Sequence, residues 1–209
     1  FHMANFPRCA QSGWCMIQVS YITAASQAPC AQRHVVALGQ FDGFHLGHQS
    51  VLDQVKMTAQ QLQCQSSVVI FDPLPKVFLG KMSPEERLMT VAEQIQFVHD
   101  YGCDGVFKLG FDASLANMDA KTFMRVVLLE QCQADAVVVG EDFRFGRGRS
   151  GTLEVLGTGL AAYGKSLHVV QVKRDACQKI SSTQCREALR NHNFEQLTRW
   201  LGRPWSVGL

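Results

Sequence analysis

Short apolar runs alternate along the chain with segments whose apolar positions recur at helical spacing. Strand-like runs occupy residues 16–22, 35–38, 66–71, 104–109, 134–139 and 167–172, and helical spacing occupies residues 49–62, 83–101, 112–117, 119–131, 152–163, 182–190 and 193–200. Apolar runs rich in β-branched residues are typical of strands covered on both faces, and strand–helix alternation with short connections is typical of a parallel sheet. The pattern therefore predicts an α/β fold with a doubly wound parallel sheet, helices on both faces, and ligands at the carboxyl ends of the strands.

Two features mark the region after the strand predicted to end at residue 71. Prolines at positions 73 and 75 exclude regular strand pairing, so we expect a mobile loop through residue 82. Residues 83–86, Ser-Pro-Glu-Glu, combine a capping residue, a first-turn proline and acidic residues in the first turn. This predicts one helix that runs to about Tyr101.

The composition is that of an ordinary globular protein. The 209 residues are 46% hydrophobic and 18% charged, which is enough to bury the core of one domain. The net charge of +2 is too small to indicate a nucleic-acid or membrane partner, and no apolar run reaches the length of a spanning helix. Composition therefore gives no argument for either kind of partner.

The cysteines and the first residues bear on compartment and domain bounds. Eight cysteines are scattered without any C-x-x-C pair, which is typical of reduced thiols and predicts a cytoplasmic protein. Residues 1–15 show no periodicity and are interpreted as an expression-vector remnant or a disordered extension, with Met16 as a natural start. The predicted domain is residues 16–209.

The segment Gly39-Gln40-Phe41-Asp42-Gly43-Phe44-His45-Leu46-Gly47-His48 joins the second predicted strand to the first predicted helix. Its glycines allow a sharp turn and a close approach of a ligand to the backbone. A helix start adds free N–H groups and the positive end of the helix dipole, which together attract anions. The segment therefore predicts a phosphate site.

His45 and His48 are three residues apart, so in a first helical turn both imidazoles can point the same way. They are either phosphate donors or structural histidines. The spacing differs from that of the H-E-x-x-H zinc site, the glycines do not form the dinucleotide fingerprint, and the lysine of a P-loop is missing. A phosphate site would have to work without those devices.

A second candidate element is Ser181-Ser182-Thr183 followed by Arg186. One hydroxyl would cap the helix, a use worth about 1 kcal/mol that needs no ligand. Arg186 returns a guanidinium to the same face three residues after Thr183, and two of its N–H groups can hold phosphate oxygens. The pattern alone leaves both interpretations open.

Residues 141–151 form a loop rich in glycine that alternates aromatic and basic side chains. Three interpretations are open: a loop for single-stranded nucleic acid, a solvated basic loop anchored by two phenylalanines, or a wall for a flat phosphorylated ring. The side chains concerned are Phe143, Arg144, Phe145, Arg147 and Arg149.

Five segments together resemble a known family. The segment of residues 39–48 resembles the signature of the adenylyltransferase module of prokaryotic-type FAD synthetases, within the nucleotidyltransferase superfamily that carries an H-x-G-H element. Residues 71–75 resemble the segment in which the family usually has Glu-Pro-His-Pro, with Leu74 in the place of the histidine. The family's Gly-x-Asp/Asn-Phe-x-Phe-Gly loop is similar to residues 139–146. Its second nucleotide-binding motif is similar to residues 180–186, and the stretch that closes the module is similar to residues 201–205.

The resemblance implies a Rossmann-like nucleotidyltransferase fold and an FMN adenylyltransferase, which transfers AMP from ATP to FMN with Mg²⁺ and releases FAD and pyrophosphate. The implied catalytic residues are His45, His48 and Arg186, and the implied metal ligand is Asp142. The implied ATP-binding residues are Gly39, Phe41, Asp42, Gly47, Gly140, Ser181, Ser182 and Thr183. The implied flavin-binding residues are Asp72, Pro73, Phe143, Phe145 and Arg144.

The resemblance does not extend to the riboflavin kinase module of the bifunctional enzymes. We therefore expect a monofunctional enzyme or an excised module, with a separate riboflavin kinase or flavin supply protein as a partner. Two alternatives are a related nucleotidyltransferase with another phosphorylated acceptor, such as nicotinamide mononucleotide, pantetheine phosphate or glycerol phosphate, and a flavin-nucleotide binding module without turnover.

Overall fold

The computed structural model describes residues 17–23, 32–176 and 178–205, so the calls on residues 1–15 and on Met16 lie outside the described residues. Its main sheet has six parallel strands in the order β1-β4-β3-β2-β5-β6. Their bounds are β1 Gln18–Ile22, β2 His34–Leu38, β3 Gln65–Asp72, β4 Gly105–Gly110, β5 Ala134–Gly140 and β6 Ser166–Val170. The predicted doubly wound parallel sheet is confirmed.

Helices cover both faces of this sheet. They are α1 Leu46–Leu62, α2 Pro75–Phe78, α3 Val91–Asp100, α4 Ala113–Asn117, α5 Ala120–Thr122, α6 Leu153–Ala161, α7 Ser182–Arg190 and α8 Phe194–Leu201. A π-helix, Phe123–Gln131, continues α5, and the two-residue strands β7 Arg174–Asp175 and β8 Gln178–Lys179 form an antiparallel pair. Asp119, at the start of the helical segment predicted for residues 119–131, is the N-cap of this stretch, which ends at Gln131.

β2 lies at the point where the strand order reverses, because its neighbours are β3 on one side and β5 on the other. Its side chains alternate between two hydrophobic clusters: Val36 and Leu38 face one layer of helices, and Val35 and Ala37 face the other. In open α/β sheets, ligands bind outside the carboxyl ends of the strands at such a switch point. The segment after β2 therefore leaves a rigid base at the place where a ligand is expected.

Two predicted elements differ from the structure. The expected loop of residues 72–82 contains the short helix α2. The single helix expected for residues 83–101 is divided into the 3₁₀ turn Pro84–Glu86 and α3, which has its own cap at Thr90. The chain leaves the helical path at this break because the backbone N–H groups of Leu88 and Met89 donate to the Asp42 carboxylate instead.

A third hydrophobic cluster joins α7 and α8 to the segment after β2. Gly43 has φ 87°, and a Cβ at this position would lie 2.7 Å from Leu88 Cδ1. Arg203 donates to the Gly43 carbonyl at 3.1 Å, and Gln49 Nε2 donates to the carbonyls of Phe44 and Leu201, each at 2.8 Å. These contacts fix the turn against the two C-terminal helices.

None of the helices in the described part of the chain is long and apolar enough to cross a lipid bilayer.

Candidate active site

The turn between β2 and α1 forms the floor of the candidate site. Phe41 and Phe44 both have positive φ, 48° and 43°, a strained conformation for residues with a side chain. Their rings are 1% and 0% exposed and stack with centroids 5.5 Å apart, so packing holds the strained backbone in place. The ring of Phe41, a residue predicted to bind ATP, lies in the core, and a Cβ on Gly39 would lie 3.0 Å from this ring.

His45 and His48 lie together at the N-terminus of α1. His45 is the N-cap residue, and its Nδ1 accepts a hydrogen bond from the His48 backbone N–H at 3.3 Å. The two rings stack with centroids 3.7 Å apart and an interplanar angle of 18°. A nitrogen that accepts a hydrogen bond carries no proton, so the neutral His45 ring holds its proton on Nε2.

Both imidazoles are held in the neutral form. Burial, followed by the charge of Lys179, lowers the pKa of His45 to about 4, while Asp142 opposes the shift. Burial and the neighbouring His45 lower the pKa of His48 well below its usual value. Its Nδ1 is shielded from solvent and has no hydrogen-bond partner in the described residues. The site therefore offers ring N–H donors at neutral pH without two positive charges.

Gly47 allows the close approach of neighbouring groups between the two histidines. A Cβ at this position would lie 3.1 Å from both Cε1 and Nδ1 of His45 and 3.9 Å from the Ile180 carbonyl oxygen. Contacts of 3.0–3.4 Å are tighter than most real Cβ contacts, so a side chain here would push the His45 ring aside. The same glycine places the motif at residues 180–186 next to the histidines.

Asp42 and Arg186, predicted for ATP binding and catalysis, form a buried ion pair with Oδ2 and Nη1 2.6 Å apart. Asp42 is 1% exposed and Arg186 is 7% exposed. Burial raises the pKa of Asp42, while Arg186 and the backbone N–H groups of Leu88 and Met89 act in the opposite direction. The pair joins α7, the turn after β2 and the break before α3.

The three hydroxyls of the second motif have different surroundings. Ser181 is the N-cap of α7 and accepts a hydrogen bond from the Gln184 backbone N–H at 3.4 Å. Ser182 Oγ donates to the Asp42 carbonyl at 2.8 Å, while Thr183 is exposed. The motif is thus a cap, as its pattern allowed, and it also docks the start of α7 beside the histidine segment.

The loop after β5 approaches the histidines through Asp142, whose charge acts on the pKa of His45. Gly140 ends β5, and the exposed Asp142 forms an ion pair with Lys179. Phe143 stacks on the buried Phe145 with centroids 5.6 Å apart. Phe145 belongs to the core, Phe143 is half-buried, and Arg144 is exposed.

Lys179 is a site residue that the sequence analysis missed. It pairs with Asp142, and of the charged groups that act on the pKa of His45 it has the largest effect. A signal was present in the sequence, because Lys179 directly precedes the motif at residues 180–186.

The segment after β3 provides the remaining predicted residues. Asp72 ends β3 and pairs with Lys108 at 2.7 Å and with Arg87 at 3.8 Å, while Pro73 is exposed. Leu74, at the position of the family's usual histidine, is 0% exposed and anchors the segment.

The described residues contain no group of three His, Cys, Asp or Glu side chains that could hold a metal ion. Asp142 is one carboxylate and already has a cationic partner. Mg²⁺ is commonly bound through one or two carboxylates together with substrate phosphates. Asp142 could therefore supply one ligand to a magnesium ion that binds together with phosphate groups.

A family model described as FAD synthetase matches residues 27–184, about three quarters of the chain. The chain belongs to the FAD synthetase family. Within this family, three relatives are each named bifunctional riboflavin kinase/FMN adenylyltransferase. Those from Buchnera aphidicola (Acyrthosiphon pisum) and Haemophilus influenzae are 32% identical, and the one from Escherichia coli K12 is 30% identical. The matches cover 83%, 82% and 87% of this chain and 55%, 56% and 58% of the relatives.

The chain thus spans somewhat more than half the length of the curated relatives that it matches. A solved structure titled as a macrolide-efflux protein from Streptococcus pneumoniae has a TM-score of 0.81 and 26% identity. That match covers 91% of this chain and 72% of the other, which shows a common fold.

Proposed function

We propose that this chain is an FMN adenylyltransferase, which joins the AMP part of ATP to FMN and releases pyrophosphate. The observation that carries the proposal is the pair of stacked, neutral imidazoles at the start of α1, next to Gly47 and the N-terminus of α7. Such a site binds phosphate oxygens through N–H groups at the switch point of the sheet. Family membership and the relatives' names support the same activity.

The reaction needs no base, because the FMN phosphate is already an anion. One of its oxygens forms a bond to the α-phosphorus of ATP, the bond from that phosphorus to the α–β bridging oxygen breaks, and pyrophosphate leaves with the electron pair. Catalysis then consists of in-line positioning and of neutralising negative charge on the phosphate oxygens. In this proposal the Nε2–H groups of His45 and His48 donate to those oxygens.

The triphosphate would lie between α1 and α7. Thr183 and Lys179 would contact it from the α7 side, together with the backbone N–H groups at the start of that helix, which Ser181 and Ser182 hold in place. Arg186 acts through Asp42, because its ion pair fixes the turn after β2. A bound Mg²⁺ would neutralise the phosphates, with Asp142 as the ligand from the protein.

The nucleoside part of ATP and the flavin would lie along the carboxyl ends of the strands. We propose that the backbone at Gly39, Phe41, Gly47 and Gly140 approaches ATP. The flavin would lie between two segments. One contains Asp72 and Pro73, and the other is the loop after β5, which contains the predicted flavin-binding residues Phe143, Arg144 and Phe145.

The proposed setting is the cytoplasm, with a riboflavin kinase as the source of FMN. Reduced thiols are expected in that compartment, and the described Cys64, Cys103 and Cys185 form no disulfide. The relatives' names join a riboflavin kinase to the adenylyltransferase, so this activity could reside on the same longer protein or on a separate one.

The test is to incubate purified protein with ATP, Mg²⁺ and FMN, and to measure FAD and pyrophosphate by chromatography. We expect FAD from FMN and none from riboflavin. Binding of FMN without FAD would indicate a module that does not turn over. Transfer of AMP to nicotinamide mononucleotide, pantetheine phosphate or glycerol phosphate in place of FMN would also contradict the proposal.

A further inference from the structure

Arg87, at the break before α3, has contacts that lead both to the turn after β2 and to the segment after β3. Its Nη1 lies 3.8 Å from Oδ1 of Asp72, the last residue of β3, and 17% of its side chain is exposed. The other oxygen of this carboxylate pairs with Lys108 on β4 at 2.7 Å. Lys108 thus fixes Asp72 to the sheet, and Arg87 connects it to the break before α3.

The same guanidinium group reaches the turn after β2 through one intermediate side chain. Arg87 Nη2 donates to Oε1 of Gln94 on α3 at 3.2 Å. Gln94 Nε2 donates to the carbonyl oxygens of Gln40 and Phe41, at 3.3 Å and 3.1 Å, and its side chain is fully buried. These contacts form the Asp72–Arg87–Gln94 network, which begins at the end of β3 and ends at the backbone of the turn after β2.

Burial makes this network sensitive to the loss of any one member. A buried amide or guanidinium group that loses its partner has no water to replace it, so the lost hydrogen bond is not compensated. Phe41 has φ 48°, a strained conformation that persists only where the surroundings hold it. The two hydrogen bonds from Gln94 supply part of that support, because they restrict rotation of the peptide groups that follow Gln40 and Phe41.

Arg87 is itself held by its neighbours along the chain. Its Nε donates to the Met89 carbonyl at 3.2 Å, and the N–H groups of Leu88 and Met89 donate to the Asp42 carboxylate at 2.9 Å and 3.3 Å. The Leu88 carbonyl accepts from the Trp205 indole N–H. A planar guanidinium group that is held in this way loses little further freedom when it forms its other contacts. Arg87 therefore connects the two segments from a fixed base.

We propose that Arg87, acting through Gln94, is a positioning residue that keeps the flavin phosphate in line with the α-phosphorus of ATP. This rests on the proposed function, in which the turn after β2 approaches ATP and the segment after β3 contacts the flavin. The two substrates have separate supports, and transfer depends on the position of one relative to the other. Misplacement by about 1 Å can cost about a hundredfold in rate. The network holds the two supports at a fixed separation.

The test separates relative position from binding. Calorimetry gives the dissociation constant and the number of sites for a nonhydrolysable ATP analogue alone and for FMN alone, and kcat for FAD formation is measured with both substrates saturating. In Arg87→Gln we expect kcat to fall about tenfold to a hundredfold, while each dissociation constant stays within about threefold, because each substrate keeps its own contacts. An unchanged number of sites shows that the variant is folded.

Two further variants test the same network. Gln94→Leu removes the hydrogen bonds to the turn and should lower kcat in the same way, and it also tests the network if Arg87→Gln does not fold. Arg87→Lys keeps the charge that faces Asp72 and should recover part of the lost rate. Arg190→Gln is the matched control, because Arg190 is exposed and pairs with Glu86, the residue before Arg87. It should leave kcat and both dissociation constants unchanged.

Hydrogen–deuterium exchange of the substrate-free protein gives a readout that needs no turnover. Exchange should become faster in both residues 39–45 and residues 72–79 in Arg87→Gln, since one network holds both segments. The inference is overturned if Arg87→Gln and Gln94→Leu keep the wild-type kcat, or if exchange rises in neither segment or in one alone. Absence of FAD formation by wild type would contradict the proposed function, and the exchange measurement would still decide whether Arg87 connects the two segments.

Discussion

Replacing Asp42 with alanine removes the partner of a buried guanidinium and the acceptor of two backbone N–H groups at once. The Asp42–Arg186 pair has a 2.6 Å contact, and both side chains are almost fully shielded from water. At an effective dielectric constant of about 20, two charges about 4 Å apart attract by about 4 kcal/mol. Breaking a buried pair by removing one partner generally costs about 3–5 kcal/mol, because it leaves the other charge without compensation.

We therefore expect Asp42→Ala to lower the free energy of unfolding by about 3–5 kcal/mol, or the midpoint of thermal unfolding by about 6–20 °C in a chain of this size. Urea unfolding followed by circular dichroism measures this. Asp42→Asn keeps an acceptor for the Leu88 and Met89 N–H groups and should fall between wild type and alanine. FAD formation should decrease in parallel, because the turn that carries the histidines loses its attachment to α7.

Arg125→Gln is the control, because Arg125 forms an exposed pair with Glu130 at 2.6 Å. Exposed pairs contribute at most about 1 kcal/mol. If Asp42→Ala were no less stable than Arg125→Gln, the structural role assigned to the buried pair would be wrong.

Three further predictions concern the histidine segment. His48→Ala should fold but form FAD about a hundredfold to a thousandfold more slowly, because one hydrogen-bond donor to a developing charge is removed. The rate is measured by chromatography of samples quenched at successive times. A near-normal rate would show that the role assigned to His48 is wrong. The pKa of His45 is lowered to about 4, so below about pH 6.5 the unfolded chain binds a proton at this ring that the folded protein does not bind. The contribution of His45 to the free energy of unfolding is therefore complete above about pH 6.5 and decreases as the pH falls towards 4. NMR titration of the His45 ring should show this pKa, and Lys179→Gln should raise it, because Lys179 lowers it; an unchanged value would contradict the geometry. Gly47→Ala should lower the rate of FAD formation at least tenfold with only a small change in the midpoint of thermal unfolding, because the added Cβ would displace the His45 ring. Kinetic constants equal to those of the wild type would refute this contact.

Local sequence patterns were sufficient to predict the sheet and the position of the two histidines at the start of a helix. The strands are continuous apolar runs, such as residues 35–38, and this pattern depends only on neighbours along the chain. The cap role of Ser181 and Asp119 is equally local, since each side chain binds a backbone N–H three residues later. The position of the segment after β2, at the start of α1, could therefore be predicted from a motif at the end of a strand.

Contacts between distant parts of the chain could not be predicted in this way. Asp42 pairs with Arg186 144 residues later, and the same carboxylate interrupts the helix expected for residues 83–101. The burial of Leu74 and the ion pair between Asp142 and Lys179 likewise depend on which loops meet at the sheet edge. A motif shows which residue types are present but not whether a charge faces the ligand or another side chain.

The turn after β2 is held by partners that are synthesised much later. Its carbonyl at Gly43 binds Arg203, 160 residues further on, and the Leu88 carbonyl binds the Trp205 indole N–H at 3.3 Å. Such sequence-distant contacts form late, because a long loop must close before they contribute. On the ribosome, the central strands can therefore associate before the candidate site is complete, and the site would be completed only when α8 and the residues that follow it have emerged and docked.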